Sequence, residues 1–147
     1  MISKGIVMAI PLSIGLLIAG CSHPTASPIN PAAQETASPQ EIKKMGTDMQ
    51  NRGLMTQTDY VKVRALGHQV STTHIISDAD LDWDLVFLKR SNNGIARARA
   101  LTVISEIDPV SDAQKAKISP VVTPLLSSPD SLTRRYAQRV QRHGGLL

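Results

Sequence analysis

The segment Leu88-Lys89-Arg90-Ser91-Asn92-Asn93-Gly94-Ile95-Ala96-Arg97-Ala98-Arg99-Ala100-Leu101-Thr102-Val103 has a counterpart 37 residues later: Leu125-Leu126-Ser127-Ser128-Pro129-Asp130-Ser131-Leu132-Thr133-Arg134-Arg135-Tyr136-Ala137-Gln138-Arg139-Val140. The shift superposes Leu88 on Leu125, Ser91 on Ser128, Ile95 on Leu132, Arg97 on Arg134, Ala100 on Ala137 and Val103 on Val140. In each copy a helix ends, a polar turn follows and an arginine-bearing helix begins. The first turn is Ser91-Asn92-Asn93-Gly94. The second, Ser127-Ser128-Pro129-Asp130, offers Ser128 as N-cap and Pro129 at the first helical position, where a missing N–H costs nothing. On the helix expected from Ile95 to Ile107, Ala96, Ala100, Val103 and Ile107 fall on one face. Leu101 and Ile104 widen it, which implies packing against more than one neighbour. An all-α fold follows.

Between the copies, Ser111-Asp112-Ala113-Gln114 and Ser119-Pro120 read as further helix starts. Helix pairs with a period near 40 residues are the mark of HEAT and armadillo solenoids. The region from Asp78 to Arg142 resembles one and a half to two degenerate HEAT-type units, with Arg97 and Arg134 where such repeats often carry an arginine. The resemblance implies a short helix-pair array over residues 68–147. Because solenoids generally need three or more repeats, a small irregular helical bundle stands beside it as the other architecture.

Towards the N-terminus, Asp78-Ala79-Asp80-Leu81-Asp82-Trp83-Asp84 places acids at alternate positions, like the opening of an EF-hand calcium loop. The rest of such a loop is missing: its sixth position needs Gly and holds Trp83, and its twelfth needs a bidentate Glu and holds Lys89. The pattern fits a helix capped by Ser77. Its first turns carry Asp78, Asp80, Asp82 and Asp84, which complement the macrodipole, and its core stripe is Leu81, Leu85 and Leu88.

Earlier still, Ser38-Pro39-Gln40-Glu41 forms a capping box with Pro at the first helical position. It opens a helix from about Pro39 to Asn51 striped by Ile42, Met45 and Met49, which Gly53 ends. Thr56-x-x-Asp59 caps a second helix bearing Tyr60, Val63 and Leu66, expected to stop at Gly67. The hairpin over residues 39–67, with its turn Arg52-Gly53-Leu54-Met55-Thr56, resembles the SHOCT module, a pair of short helices that implies a role in association.

The stretch from Met1 to Gly20 differs in kind and reads as a signal peptide. Lys4 supplies a positive n-region, and Ile6 to Ala19 form an apolar run interrupted by Pro11 and Ser13. That run is shorter than the roughly 20 residues a spanning helix needs. Leu17-Ile18-Ala19-Gly20-Cys21 resembles the lipobox of bacterial lipoproteins. The resemblance implies a diacylglyceryl group on the Cys21 sulfur and cleavage between Gly20 and Cys21. The product is a diacyl cysteine, or a triacyl one with an N-linked chain. Two acyl chains suffice for stable attachment where one does not. An ordinary secretory signal with a chance cysteine is the bland alternative. Residues 21–38, with three prolines and Ile29 as the one large apolar residue after the cysteine, cannot bury enough surface to order themselves and read as a disordered tether. Ser22, where an Asp would signal inner-membrane retention, implies the outer membrane facing the periplasm in a host with two membranes.

Composition and charge narrow the function classes. The chain has 147 residues, 41% hydrophobic and 3% aromatic, and about 108 remain after the tether, enough for one modest core. Cys21 is the single cysteine, so there is no intramolecular disulfide, no thiolate zinc site and, once it is alkylated, no thiol nucleophile. His68 and His74 are six apart rather than the four that pairs imidazoles on a helix, and His23 and His143 lie far from both. The histidines therefore read as scattered surface residues. No serine sits in a nucleophile elbow.

From Lys89 onward 10 Lys and Arg oppose 4 acids, a net +6, whereas Gln40 to Phe87 carries 5 against 7, a net −2. Arg135, Arg139 and Arg142 share a helical face with Arg134 flanking them, opposite an apolar side of Leu132, Tyr136 and Val140. These arginines are the candidate contact for an anionic partner, with a solvated basic face as the plain alternative. Nucleic acid is not expected, since export would separate the two and stacking aromatics are scarce. The expectation is therefore a lipid-anchored envelope protein acting as a non-catalytic interaction or assembly module, with no cofactor beyond the acyl chains and no metal. Its partner would be an envelope protein or a second copy of the chain. The alternative is an envelope metal-binding protein or enzyme built on the Asp78 to Asp84 cluster with His74.

Overall fold

A computed structural model describes residues 37–144, with side chains to residue 143. The expected signal peptide, the Gly20–Cys21 cleavage site, the lipidation of Cys21 and the tether up to residue 36 lie outside the described residues. The described residues form an all-α bundle: α1 Pro39–Asn51, α2 Gln57–Thr73, α3 Asp78–Arg90, α4 Gly94–Ser105, α5 Asp112–Val122, a 3-10 helix Thr123–Ser127, and α6 Ser131–Gly144. None of these helices is long and apolar enough to cross a membrane.

Local chemistry starts most of the helices. Ser38 caps α1 in a reciprocal box with Glu41, and Ser111 caps α5 likewise with Gln114. Thr56 and Ser77 accept the backbone N–H groups of Asp59 and Asp80 at 3.1 Å, so each side chain satisfies one of the donors a helix start leaves unpaired. Gly53 follows α1 at φ +66°, a left-handed position that costs glycine little.

Three expectations need correction. Helix α2 does not stop at Gly67 but continues to Thr73, and His74 closes it in the left-handed conformation. Glycine's poor helix propensity is worth about 1 kcal/mol, and burial of Val70 at 0% exposure outweighs it. The expected 67/68 boundary therefore falls inside one helix, and the described residues belong to one compact unit. Second, Pro120 does not open a helix. It lies within α5, which continues to Val122 before tightening into the 3-10 turn. Third, α6 starts after Asp130 rather than at Ser128-Pro129: Asp130 accepts the Thr133 N–H at 2.6 Å, and Ser128 is buried in the preceding turn.

Helix α4 is the hub. It packs on α2, α3 and, most extensively, α6, while α1 pairs with α2. Ala96, Ala98, Ala100, Leu101, Val103 and Ile104 are all buried, covering most of its circumference. Small side chains on three of those positions let neighbouring axes approach closely. The facing residues of α6 repeat its pattern, with Thr133, Ala137 and Val140 each at 1% exposure or less, as Ala96, Ala100 and Val103 are one repeat earlier. Leu132 and Tyr136, expected on that apolar side, are only half-buried.

Candidate functional site

The two arginines of the sequence repeat do the same thing. Arg97 donates from Nε to the Ser91 carbonyl at 2.7 Å, and Arg134 from Nη1 to the Ser128 carbonyl at 2.6 Å, each reaching back along the chain to hold its own turn. The helix caps match in the same register: Asn93 accepts the Ile95 N–H at 2.8 Å, and Asp130 accepts that of Thr133. Asp130 also lies over the first residue of α4, where Gly94 leaves room that a Cβ would close at 2.5 Å from its carboxylate. The Thr133 N–H, reinforced by the positive charges of Arg97 and Arg134, holds this carboxyl below the usual range. The node therefore ties the two arginine turns together.

This arrangement divides the four arginines expected to contact an anion. Arg134 is engaged by Ser128, and Arg139 pairs with Glu106 at the end of α4. Arg135 and Arg142 are exposed, and with Tyr136 and Arg139 they line a hollow of about 150 Å³ on the outer face of α6. Helical spacing alone places Arg135, Arg139 and Arg142 on one face. That Glu106 takes one of them is visible only in the fold, because the two residues are far apart in the chain.

The acidic helix does not gather its carboxylates. Among the described residues no group of three or more His, Cys, Asp or Glu side chains is disposed to hold a metal ion. Alternate residues of a helix point in widely different directions, and the acids part accordingly. Asp80 accepts from the Ser77 hydroxyl at 2.8 Å and lies 3.7 Å from Lys62, while Asp82 meets Lys117 of α5 at 2.8 Å. Asp84, expected with the others as a charge complementing the macrodipole, is instead fully buried, with both oxygens unpartnered. Burial pushes its carboxyl well above the usual carboxylate range.

His74, the other member of that candidate cluster, is tied to a backbone. Its Nδ1 lies 2.9 Å from the Glu106 carbonyl, which can only accept, so Nδ1 carries the proton. Its own carbonyl accepts the Asp108 N–H at 3.0 Å, which pins the end of α2 to the end of α4. Inter-helix pairing elsewhere is similar in kind: Asp59, buried near the start of α2, receives Arg90 from the last turn of α3 at 2.5 Å.

A feature that the sequence did not signal is a groove of about 380 Å³ between α1, α2 and α4. Ile42, Val61, Val63 and Val103 form its apolar wall. Arg64, His68 and Arg99 also line it, with Ser71 and Thr102. The Arg99 guanidinium lies 5.2 Å from the centre of the Tyr60 ring, and its Nε is buried without a hydrogen-bond partner. His68 is exposed, as expected of a surface histidine, and it also lines this groove. Its setting is invisible in the local sequence, because the groove's second wall comes from α4, beyond the whole of α3 in the chain.

No protein-family model matches the chain, and no curated protein or solved structure matches it either.

Proposed function

We propose that this chain is a bacterial envelope lipoprotein, held at a membrane through an acylated Cys21, whose helical domain is a non-catalytic interaction module for an anionic partner. The observation that carries the binding part is the division among the α6 arginines. Arg134 and Arg139 are occupied within the fold, while Arg135 and Arg142 stand exposed beside Tyr136. Two helical turns apart, they sit on one face about 10 Å from each other along the axis. Guanidinium groups so placed suit carboxylate or phosphate oxygens, which they can grip in bidentate fashion. The net +6 of the chain from Lys89 onward adds a long-range attraction to the same partner.

The matching Arg97 and Arg134 turns support reading α3 to α6 as a short HEAT-like array presenting α6 at its end. The lipobox-like Leu17 to Cys21 segment supports the anchor, and residues 22–38 would space the domain from the lipid.

The test is site-specific photocrosslinking from Gln138, which is exposed on the same face, in native membranes carrying the full-length protein. Adducts should form at low salt, weaken at high salt and disappear in the Arg135→Glu/Arg142→Glu double variant. Adducts that persist in that variant would overturn the proposal. Arg139 is left intact, because reversing its charge would set it against Glu106 and perturb the fold itself.

A further inference from the structure

We propose that the groove between α1, α2 and α4 binds a single-chain amphiphile with an anionic head, of which a fatty acid is the simplest member. Three independent features specify that chemistry. The volume, about 380 Å³, lies within the range of small-molecule sites, roughly 300–1,000 Å³. The walls are largely aliphatic, from Ile42, Val61, Val63 and Val103, and suit a hydrocarbon chain rather than a polar or stacking ligand. The charges are all of one sign: Arg64 and Arg99 line the groove with His68, and no Asp or Glu does.

Among the described residues neither Arg64 nor Arg99 has an ion-pair partner, although five other cations do. Arg99 is the sharper case. The Tyr60 ring packs against its guanidinium, and its buried Nε–H lacks an acceptor. Two guanidinium groups that line an apolar groove with no acid beside them offer bidentate, charge-assisted hydrogen bonds to an anionic head. A neutral apolar ligand would fill the walls but leave these cations without a counter-charge. A small inorganic anion would pair with the cations but leave the apolar wall wet. An amphiphile with one anionic end satisfies both.

Helix α2 supplies the remaining requirement, which is space. Gly67 lines the groove in the middle of the helix, and a Cβ built there would meet nothing nearer than Val103 Cγ2 at 4.0 Å. A larger side chain at 67 would therefore occupy the groove without disturbing the helix, and would improve its propensity. The site is separate from the α6 ridge, and its ligand is independent of whatever that ridge contacts.

The experiment uses membranes carrying the full-length protein and a photoreactive dodecanoate bearing a diazirine on its chain. Labelling should map to the segments 61–71 and 99–103. Unlabelled dodecanoate or dodecyl phosphate should compete, the stronger of the two identifying a carboxylate or a phosphate head as the natural one, and dodecanol should compete at least about tenfold less well. Gly67→Leu should abolish labelling while its melting temperature is maintained or raised. Arg99→Gln should weaken competition by the anionic ligands about tenfold and leave dodecanol unchanged. Equal competition by dodecanol, or undiminished labelling of Gly67→Leu, would overturn the proposal. If Gly67→Leu melts early, Arg64→Gln and Arg99→Gln together carry the decision: retained selectivity for the anionic ligands refutes it.

Discussion

Replacing Asp84 should make the protein more stable, and increasingly so as the pH rises. This carboxyl is fully buried in α3 between Leu81 and Leu88, with no partner for either oxygen, and burial raises its pKa well above the ordinary carboxylate value. The folded state thus keeps the Asp84 proton at a pH where the unfolded chain has released it. Stability from this group is complete below the unfolded carboxylate pKa and is lost as pH climbs from there to the raised folded one. Inside that window the loss is about 1.4 kcal/mol per pH unit for one proton.

Asp84→Ala removes the unsatisfied group at the cost of a small void. An unpaired buried polar group costs roughly 1–3 kcal/mol, and alanine adds up to about 0.7 kcal/mol of helix propensity, against a void of only three heavy atoms. The net expectation near neutral pH is a gain of about 1–3 kcal/mol, with each kcal/mol raising the melting temperature of a domain of this size by about 4–8 °C. Asp84→Asn keeps the shape and the polarity but abolishes the titration, so it isolates the pH term. Circular-dichroism melts of the wild type and both variants at about pH 4.5 and about pH 7.5 decide the matter. The stability of Asp84→Asn relative to wild type should be greater at the higher pH. A difference that does not change with pH, or an Asp84→Ala variant less stable than wild type at both, would contradict this account.

Two further outcomes are expected. Arg97→Met and Arg134→Met each remove one charged hydrogen bond to a turn carbonyl, and each should cost about 1.5 kcal/mol in chemical denaturation. Equivalence of the two turns predicts costs within roughly 0.5 kcal/mol of each other, so a variant that costs nothing would dissolve the equivalence. For the proposed anchor, Cys21→Ala should move the protein from the membrane pellet to the soluble fraction or leave it unprocessed with its signal segment attached, and a processed protein still in the pellet would count against lipidation.

Several parts of the structure were legible from short stretches of sequence because their causes are short-range. Ser38, Thr56, Ser77 and Ser111 each begin a helix by accepting a backbone N–H three positions on, an interaction written entirely within the local chain. The stripes Leu81-Leu85-Leu88 and Ala96-Ala100-Val103 are buried as their spacing requires. The misplaced boundaries at Gly67 and Pro120 involve residues that read as punctuation. At Gly67 the local preference is overridden by packing of Val70 from the core side. The sequence repeat also proves deeper in space than in letters, since Asn93 and Asp130, unlike in identity, occupy the same cap.

The all-α class, most helix starts and the faces that turn inward thus follow from the chain itself, because capping and amphipathic periodicity depend on residues within a turn or two of one another. Which charges remain available does not follow from it. Glu106 claims Arg139 from 33 positions away, and Arg90 claims Asp59 from 31. Asp84 is buried without a partner, while Arg64 and Arg99 line a groove with no acid in it. The reason is physical: a side chain's helical position sets its direction, but its partner, its burial and its protonation depend on which other helix lies opposite, and that is settled by packing of the whole core.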